Sequence, residues 1–200
     1  MPRDKTATNK KIYACMREEF LAYGFEKASL NRIAAKVGIT TAGLYKHFNG
    51  KEDMFEHLVC DAVNALNDME NESIDDMSDP AMEYDPFSLA QTSALLDIFY
   101  SHYEGFKLLV CCAQGSKYSR FEEELIDQET AANKQYAEIL RKSGRNVKAL
   151  TELEWHILST EYIHLVLEII RHDLSKEEAL RHMAFVRTLL YPGWKDIFGL

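Results

Sequence analysis

Long hydrophobic runs are missing from this sequence, and so is an export signal. The first residues, MPRDKTATNKK, are polar, and no stretch approaches the roughly 18 uninterrupted apolar residues that a membrane span requires. We therefore expect a cytoplasmic protein. The four cysteines show neither zinc-ligand spacing nor a disulfide framework, so reduced thiols are expected.

Strand signals and catalytic motifs are also lacking. No alternation of period two is sustained, whereas apolar residues recur at helical spacing throughout, and this pattern predicts an all-α fold. No Ser-His-Asp arrangement, Gly-rich phosphate loop or paired-carboxylate motif is present. We therefore expect neither an enzyme nor a cofactor.

The charge of the chain is divided unevenly along its length. Residues 1–51 carry ten Lys and Arg against four Asp and Glu, a net charge of +6. The remaining residues carry 13 basic and 28 acidic groups, a net charge of −15. A basic N-terminal quarter on an acidic remainder indicates that the first part meets a polyanion and the second does not. The 200 residues suffice for one large domain or two small ones.

The periodicity and the punctuating residues predict a succession of helices. We expect a connection in the acidic stretch around Pro80 and Pro86, and a kink or stop at Pro192-Gly193. The predicted helices run over about Thr6–Tyr23 (ended by Gly24), Ser29–Gly38, Thr40–Phe48, Lys51 to Ala65 or beyond, Phe87–Ala113 with a break near Gly105, Ser119–Ser143, Thr151–Asp173, and Ser175 to the end.

The second and third helices have the spacing of a helix-turn-helix. Ala34 is small where the helices must approach, Gly38 supplies the reversing backbone, and Ile39 fills the turn. Leu44 and Phe48, at i and i+4, are expected to anchor the third helix to the first. A plain helical hairpin would explain the glycines and the apolar spacing, but not the charge asymmetry.

The residues that this arrangement leaves outward suit a phosphate-lined DNA groove. Hydroxyls and cations are expected to contact phosphates, and the small Ala42 and Gly43 to permit close approach to base edges. Each of four residues has an alternative to DNA contact. Arg32 could be a solvated surface charge, and Tyr45 could be structural. Ser29 and Thr40 could serve as helix caps. The candidate DNA-binding residues are Ser29, Arg32, Thr40, Thr41, Ala42, Gly43, Tyr45, Lys46, His47 and Lys51.

These residues carry a resemblance to a known family. The sequence is similar, over roughly residues 10 to 60, to the N-terminal domain of the TetR/AcrR family of bacterial transcriptional regulators. The resemblance implies an N-terminal three-helix helix-turn-helix DNA-binding domain, placed at 1-51, and a larger helical ligand-binding and dimerisation domain, placed at 52-200. It lies in Gly24-Phe25, Ser29, Ile33-Ala34, Gly38-Ile39-Thr40, Leu44-Tyr45, His47-Phe48, Lys51 and Leu58.

The predicted helix over Thr151–Asp173 has an apolar arc wider than the roughly 100° that covers one core. Such a helix is expected to pack on its own domain and on a second subunit, and the apolar final segment is expected to join it. A four-helix homodimer interface is also what the resemblance implies. Its candidate residues are Trp155, Leu158, Tyr162, Val166, Ile170, Phe185 and Leu189.

Three further features of the second half have competing interpretations. Glu161 and His164 form one Glu-x-x-His unit, but a di-iron bundle needs a second copy, so a solvated face is favoured and no metal is expected. Cys111 and Cys112 are either sensory or core, with core packing favoured. The resemblance implies an inducer pocket, whose candidate lining residues are Phe99, His102, Tyr103, Phe106, Tyr136 and Tyr162.

The functional hypothesis is a homodimeric repressor that binds a palindromic operator in double-stranded DNA. An unidentified small-molecule inducer would release it, although the sequence leaves activation open as well. The alternatives are an architectural DNA-binding protein without an inducer and an all-helical metal or redox enzyme. The operator, the regulated genes and the inducer are not determined by the sequence.

Overall fold

The computed structural model of the chain describes residues 5–77, 85 and 87–200. The described residues form α-helices and no strands, as predicted. None of these helices combines the length and the apolar character needed to cross a membrane. The helices are α1 (Lys5–Lys27), α2 (Leu30–Val37), α3 (Thr41–Leu44), α4 (Lys51–Met77), α5 (Leu89–Ser101), α6 (Tyr103–Cys112), α7 (Phe121–Lys142), α8 (Glu152–Arg171) and α9 (Lys176–Phe198).

Most predicted helices are present, but some differ in their bounds, and the predicted helix over Thr40–Phe48 is α3, which ends at Leu44 and is followed by a turn. Gly24, with φ 69° and ψ 168°, interrupts α1 as expected, but a further helical turn follows it to Lys27. The predicted break near Gly105 lies at His102, between α5 and α6. Pro192 does not stop the last helix, because α9 continues through it to Phe198. The predicted connection at Pro80 and Pro86 lies outside the described residues.

The chain divides into two compact units, Met1–Val63 with His102–Phe121, and Asn64–Ser101 with Glu122–Leu200. This division differs from the predicted boundary after Lys51. The first turns of α4 bury Met54, Phe55 and Val59 in the first unit. Helix α6 joins the same unit because it packs on α1.

The core of the first unit is built around three aromatic rings. Phe20 and Phe25 come from α1, and Phe55 comes from the second turn of α4. Phe55 meets the other two edge-on, with ring centroids 5.2 and 5.4 Å away, and all three side chains are buried. Helix α6 approaches α4 closely at Gly105, where a Cβ would lie 2.9 Å from Ala62 Cβ. This core therefore holds α1, α4 and α6 together, and α2 packs on α1 and contacts α3.

In the second unit, α5 and α8 both pack against α9. Trp194 and Phe198, on the last turns of α9, are buried with ring centroids 4.6 Å apart, and Tyr136 of α7 and Trp155 of α8 pack against Phe198.

Capping boxes fix where the last two helices start. Thr151 begins α8 and Ser175 begins α9, each with a glutamate three residues later.

Candidate nucleic-acid interface

The turn between α2 and α3 has the geometry that its sequence predicts. Ser29 is the N-cap of α2, and its hydroxyl accepts a hydrogen bond from the Arg32 amide. Gly38 ends α2 in the left-handed conformation with φ 83°, where a side chain would be strained. Thr40 then caps α3 by accepting from the Gly43 amide across 3.1 Å. Two short helices are thus joined within three residues by a hydrogen-bonded turn.

Two apolar side chains hold α3 and the turn after it against the first unit. Leu44 is 0% exposed and Phe48 is 5% exposed. The Phe48 ring meets the Tyr13 ring of α1 edge-on with centroids 5.8 Å apart, and the His57 ring of α4 with centroids 5.2 Å apart. The prediction that Leu44 and Phe48 anchor this segment, with α1 as one partner, is confirmed.

The opposite side of the segment is open to solvent. Ala42, Tyr45, Lys46 and His47 are exposed, with Tyr45 at 57%. Lys46 forms no ion pair with any residue that the structure describes, so its charge is available to an external anion. An exposed phenol, ammonium and imidazole beside a small Ala form a surface that can donate hydrogen bonds to phosphate oxygens and approach base edges.

Thr41 is half-buried and has a partner that the sequence did not suggest. Its hydroxyl donates to Asn31 Oδ1 of α2 across 2.8 Å. Asn31 itself is exposed. No local sequence signal marks this pair, because the two residues are brought together only by the turn at Gly38. Asn31 thereby joins the candidate surface.

Two of the predicted phosphate contacts are engaged within the protein. Lys51 Nζ donates to the Glu26 carbonyl across 3.0 Å and lies 4.6 Å from the centroid of the Phe25 ring. Arg32 pairs with Glu19 and donates to the Lys27 carbonyl. Lys51 thus ties α4 to the end of α1, and Arg32 ties α2 to it. Their predicted role at DNA stays a prediction, with an internal structural role beside it.

Helix α1 is held to the end of α2 by a lysine that the sequence analysis did not single out. Lys11 Nζ donates to the Val37 carbonyl across 2.9 Å, where a cation complements the C-terminal end of the helix. In α4, the first-turn residue Asp53 accepts from the Asn49 amide across 2.6 Å. The Lys11 contact thus fixes the end of α2 on α1, and the Asp53 contact fixes the turn that precedes α4.

The predicted ligand-binding residues differ in burial. Phe99, Phe106 and Tyr136 are core side chains, and His102 and Tyr103 are half-buried. The second unit has a cleft whose space, with the open solvent at its mouth included, is about 260 Å³. Tyr162 is the one predicted residue that lines it, together with Phe87, Glu129, Asn133, Leu158, Leu190 and Trp194.

The predicted dimer residues separate into three groups by burial. Trp155, Val166 and Ile170 are buried within the single chain, which favours a role in its core, and their assignment to a subunit interface stays a prediction. Leu158 and Tyr162 are half-buried. Phe185 and Leu189 are 58% and 56% exposed, and two apolar side chains of α8 that were not predicted, Leu153 and Ile157, are 65% and 49% exposed. The wide arc of α8 is therefore mostly explained by its own unit.

The polar stripe of α8 forms ion pairs. His164 Nε2 lies 3.0 Å from Glu122 Oε1, and His172 Nε2 lies 2.8 Å from Glu168 Oε2. Arg171 pairs with both glutamates. Burial by itself would lower the pKa of Arg171, but the hydrogen bonds to the two glutamates outweigh burial, and the net effect is a raised pKa. No cluster of three or more metal-ligating side chains occurs in the described ranges. A charged, partly solvated face accounts for these residues.

The paired cysteines differ in environment. Cys111 is exposed and Cys112 is buried. Burial raises the pKa of the Cys112 thiol, which disfavours the reactive thiolate. Cys112 is thus a core residue, as favoured from the sequence, while Cys111 is not.

By these features the first unit is a helix-turn-helix domain, with a short exposed helix beyond a left-handed glycine. Residues 13–58 match the family model described as bacterial regulatory proteins, tetR family. Two regulators from Pseudomonas putida, the HTH-type transcriptional regulator SrpR and the uncharacterized HTH-type transcriptional regulator TtgW, are each 34% identical to this chain over 59 residues. The aligned part is 30% of this chain and only 28% of SrpR and 44% of TtgW.

Solved structures resemble the chain over most of its length. A TetR-like transcriptional regulator from Rhodococcus sp. RHA1 has a TM-score of 0.57 at 16% identity, covering 96% of this chain and 97% of that one. NalD of Pseudomonas aeruginosa, described as the secondary repressor of the MexAB-OprM multidrug efflux pump, has a TM-score of 0.52 at 19% identity, covering 90% and 95%. Residues 13–58 are thus similar to the tetR family of bacterial regulatory proteins, and the fold of the chain resembles that of solved TetR-like regulators over most of its length.

Proposed function

We propose that this chain is a homodimeric transcriptional repressor that binds operator DNA through α3 and the turn after it, and that a small molecule releases it. The observation that carries the proposal is the two-sided character of this segment. Leu44 and Phe48 are buried and fix it to the first unit, while Ala42, Tyr45 and Lys46 face solvent. A short rigid helix with this exposed set suits the major groove.

The charge distribution supports DNA as the polyanion. Residues 1–51 carry a net +6 and the rest a net −15. Within the basic part several cations have internal acceptors, among them Arg17, Arg32 and Lys36. Lys46, which lacks an ion-pair partner in the described chain, stands on the exposed side of the helix-turn-helix. Positive charge is therefore available on the side of this unit where the groove would lie.

The residues of this surface are assigned to two kinds of DNA contact, with phosphates and with base edges. Tyr45, Lys46 and His47 are assigned to phosphates, as are the Ser29 and Thr40 hydroxyls, which cap their helices as acceptors and keep a proton to donate. Thr41, Ala42 and Gly43 are assigned to base edges. Arg32 and Lys51 contribute through the contacts that tie them to the end of α1.

The exposed apolar residues of the second unit support a homodimer. Leu153 and Ile157 of α8, and Phe185 and Leu189 of α9, are each about half exposed or more. Large apolar side chains concentrated on two helices mark an interaction surface. A second copy of the chain related by two-fold symmetry would bury them and place two α3 segments about 34 to 36 Å apart, one turn of duplex, on a palindromic site.

The regulatory part of the proposal concerns the second unit. The protein NalD, which has a similar fold, is described as a repressor. Repressor action is assigned to this chain by that analogy, the small-molecule inducer by the family resemblance of its N-terminal residues, and the cleft at Tyr162 is the starting point of a search for the inducer. A ligand that prefers one arrangement of the protein by about 1 to 3 kcal/mol would change operator affinity some 5- to 150-fold.

Selection of bound fragments from the native genome tests the proposal. The expected result is a small set of fragments that share a palindrome, bound by a dimer in sedimentation experiments. Comparable affinity for all fragments would instead indicate an architectural DNA-binding protein. Absence of DNA binding at low salt would overturn the proposal.

A further inference from the structure

The first unit contains a buried carboxylate that the sequence analysis did not notice. Glu19 of α1 is 0% exposed. Its Oε1 accepts hydrogen bonds from the Ser29 amide across 2.9 Å and from Arg32 Nε across 2.7 Å, and it lies 2.5 Å from Arg32 Nη2. Its Oε2 is buried without a hydrogen-bond partner among the described residues. The polar contacts of this buried charge therefore converge on the start of α2.

Arg32 is fixed at the same place by two other contacts. Its Nη2 donates to the carbonyl of Lys27, the last residue of α1, across 2.7 Å. Its guanidinium lies 4.3 Å from the centroid of the Tyr23 ring. The planar fork of Arg serves the carboxylate, the helix end and the ring together, which a lysine cannot do. The Nε and Nη2 donors of Arg32 are therefore engaged within the protein.

We infer that Glu19 and Arg32 act as one positioning unit that sets α2, and through the turn at Gly38 also α3, for DNA. Arg32 then contributes to binding through Glu19 and not through a phosphate. The inference rests on the proposed DNA-binding function. Loss of Arg32 would leave Glu19 buried with one amide donor, and a buried charge without its partner drives rearrangement of the segment around it. The segment concerned is the N-terminus of α2.

The chain supplies a matched control on the same two helices. Lys36 Nζ pairs with Glu18 Oε2 at 3.4 Å, and the two side chains are 44% and 66% exposed. This pair also joins α2 to α1, but both charges are solvated. Removal of an exposed pair has little effect on structure. It should therefore leave the position of α3 unchanged.

The test measures operator affinity against salt for Glu19→Gln, Arg32→Gln, their double variant and Arg32→Lys, with Glu18→Gln and Lys36→Gln as controls. A positioning unit predicts that Glu19→Gln weakens binding about tenfold, as loss of one charge-assisted hydrogen bond would. Arg32→Gln should do the same, the double variant should be no worse than either, and the salt slope should keep its wild-type value. Arg32→Lys should remain weakened although it retains the charge.

A direct phosphate contact by Arg32 predicts different results for the same variants. Glu19→Gln would then strengthen binding, because it removes a negative charge and releases Arg32. Arg32→Gln would lower the salt slope by about one counterion, and Arg32→Lys would restore it. Either result overturns the inference. If Glu19→Gln fails to fold, Arg32→Lys still decides between the two roles.

Hydrogen exchange of the Ser29 amide gives a readout without DNA. It should accelerate in Arg32→Lys and stay at the wild-type rate in Lys36→Gln, and equal rates in both would contradict the inference. Failure of the wild-type protein to bind any DNA would overturn the proposed function, while this exchange measurement would still judge the positioning unit.

Discussion

Thr41 Oγ1 donates a hydrogen bond to Asn31 Oδ1 across 2.8 Å, and this bond joins α3 to α2 through side chains. The Thr41 hydroxyl is thereby oriented before any DNA arrives. If Thr41 reads a base, Thr41→Val should change which operator variant is preferred, since a wrong base contact costs about 1 to 3 kcal/mol at that position. Binding to a library of operator variants measures this. Uniform weakening across the library would show that Thr41 contacts the backbone, and Asn31→Asp tests whether orientation by Asn31 is needed.

Tyr45 and Lys46 should act on affinity without acting on stability, because both side chains are exposed. Lys46→Gln should reduce the slope of log affinity against log salt by about one and weaken binding to all sequences alike. Tyr45→Ala should also weaken binding, with Tyr45→Phe separating the hydroxyl from the ring. Fluorescence anisotropy over a salt series measures both effects. Lys142→Gln, an exposed cation on α7, is the control, and an unchanged slope in Lys46→Gln would exclude Lys46 from the interface.

Gly43 allows stability and binding to be separated at one position. A Cβ there would meet Ile39 Cβ and Thr40 Oγ1 at 3.5 Å, which is ordinary contact, so the fold tolerates alanine. We expect Gly43→Ala to be neutral or stabilising by up to about 1 kcal/mol, yet to weaken DNA binding if the glycine permits close approach to bases. Urea unfolding and anisotropy together check this. Tighter binding by the variant would refute close approach.

Gly105→Ala is the contrasting case. Its Cβ would lie 2.9 Å from Ala62 Cβ and 3.4 Å from the Leu58 carbonyl, so α6 and α4 must separate. We expect a loss of about 1 to 3 kcal/mol in the free energy of unfolding, the usual cost of overpacking. An unchanged urea midpoint would show that the two helices adjust freely.

Phe185 and Leu189 are expected to hold the dimer. Phe185→Glu with Leu189→Glu would place two carboxylates in an apolar interface, where uncompensated charge costs several kcal/mol. Sedimentation velocity should show a monomer that keeps its helical content, and operator affinity should fall because only one half-site is bound. Gln135→Glu, at an exposed position of α7, adds charge without this effect. A dimer that survives the double substitution would move the interface elsewhere.

Helix caps should give the second unit sensitivity to acid. The Ser175 hydroxyl and amide donate to the Glu178 carboxylate and lower its pKa; the Thr151 amide and hydroxyl do the same for the pKa of Glu154. A folded-state pKa below the unfolded value stabilises the protein above the unfolded pKa, about 4.3 for Glu. This stabilisation is lost as the pH falls through the folded pKa. Urea unfolding of Glu178→Gln between about pH 3 and 6 should show a shallower pH dependence than wild type; identical curves would contradict the cap's contribution.

Local signals were sufficient for the helix-turn-helix. Ser29, Gly38 and Thr40 act within three or four residues of their own backbone, so their caps and turn follow from the sequence. The anchoring of Leu44 and Phe48 follows from helical spacing. The same reasoning was weaker at Pro192, where the ring predicts a kink or a stop and α9 does not stop.

Assignments that depend on distant residues do not follow from local signals. Trp155, Val166 and Ile170 were assigned to a dimer because the apolar arc of α8 is wide, but sequence does not show how many neighbours one unit packs around a helix. The buried Glu19 looked like any acidic residue of a solvated helix face. Its partner Arg32 lies 13 positions away, and only the folded chain brings them together.

The amino-acid sequence alone determined the helical class, the capped turn between α2 and α3, and the exposed basic surface near Lys46, because these depend on backbone chemistry and on spacing within a few residues. Tertiary structure alone decided which cations remain available and which are used internally, as Arg32 and Lys51 are. The reason is physical: a charge is engaged or available according to what lies within hydrogen-bonding distance, and packing between distant segments sets that distance.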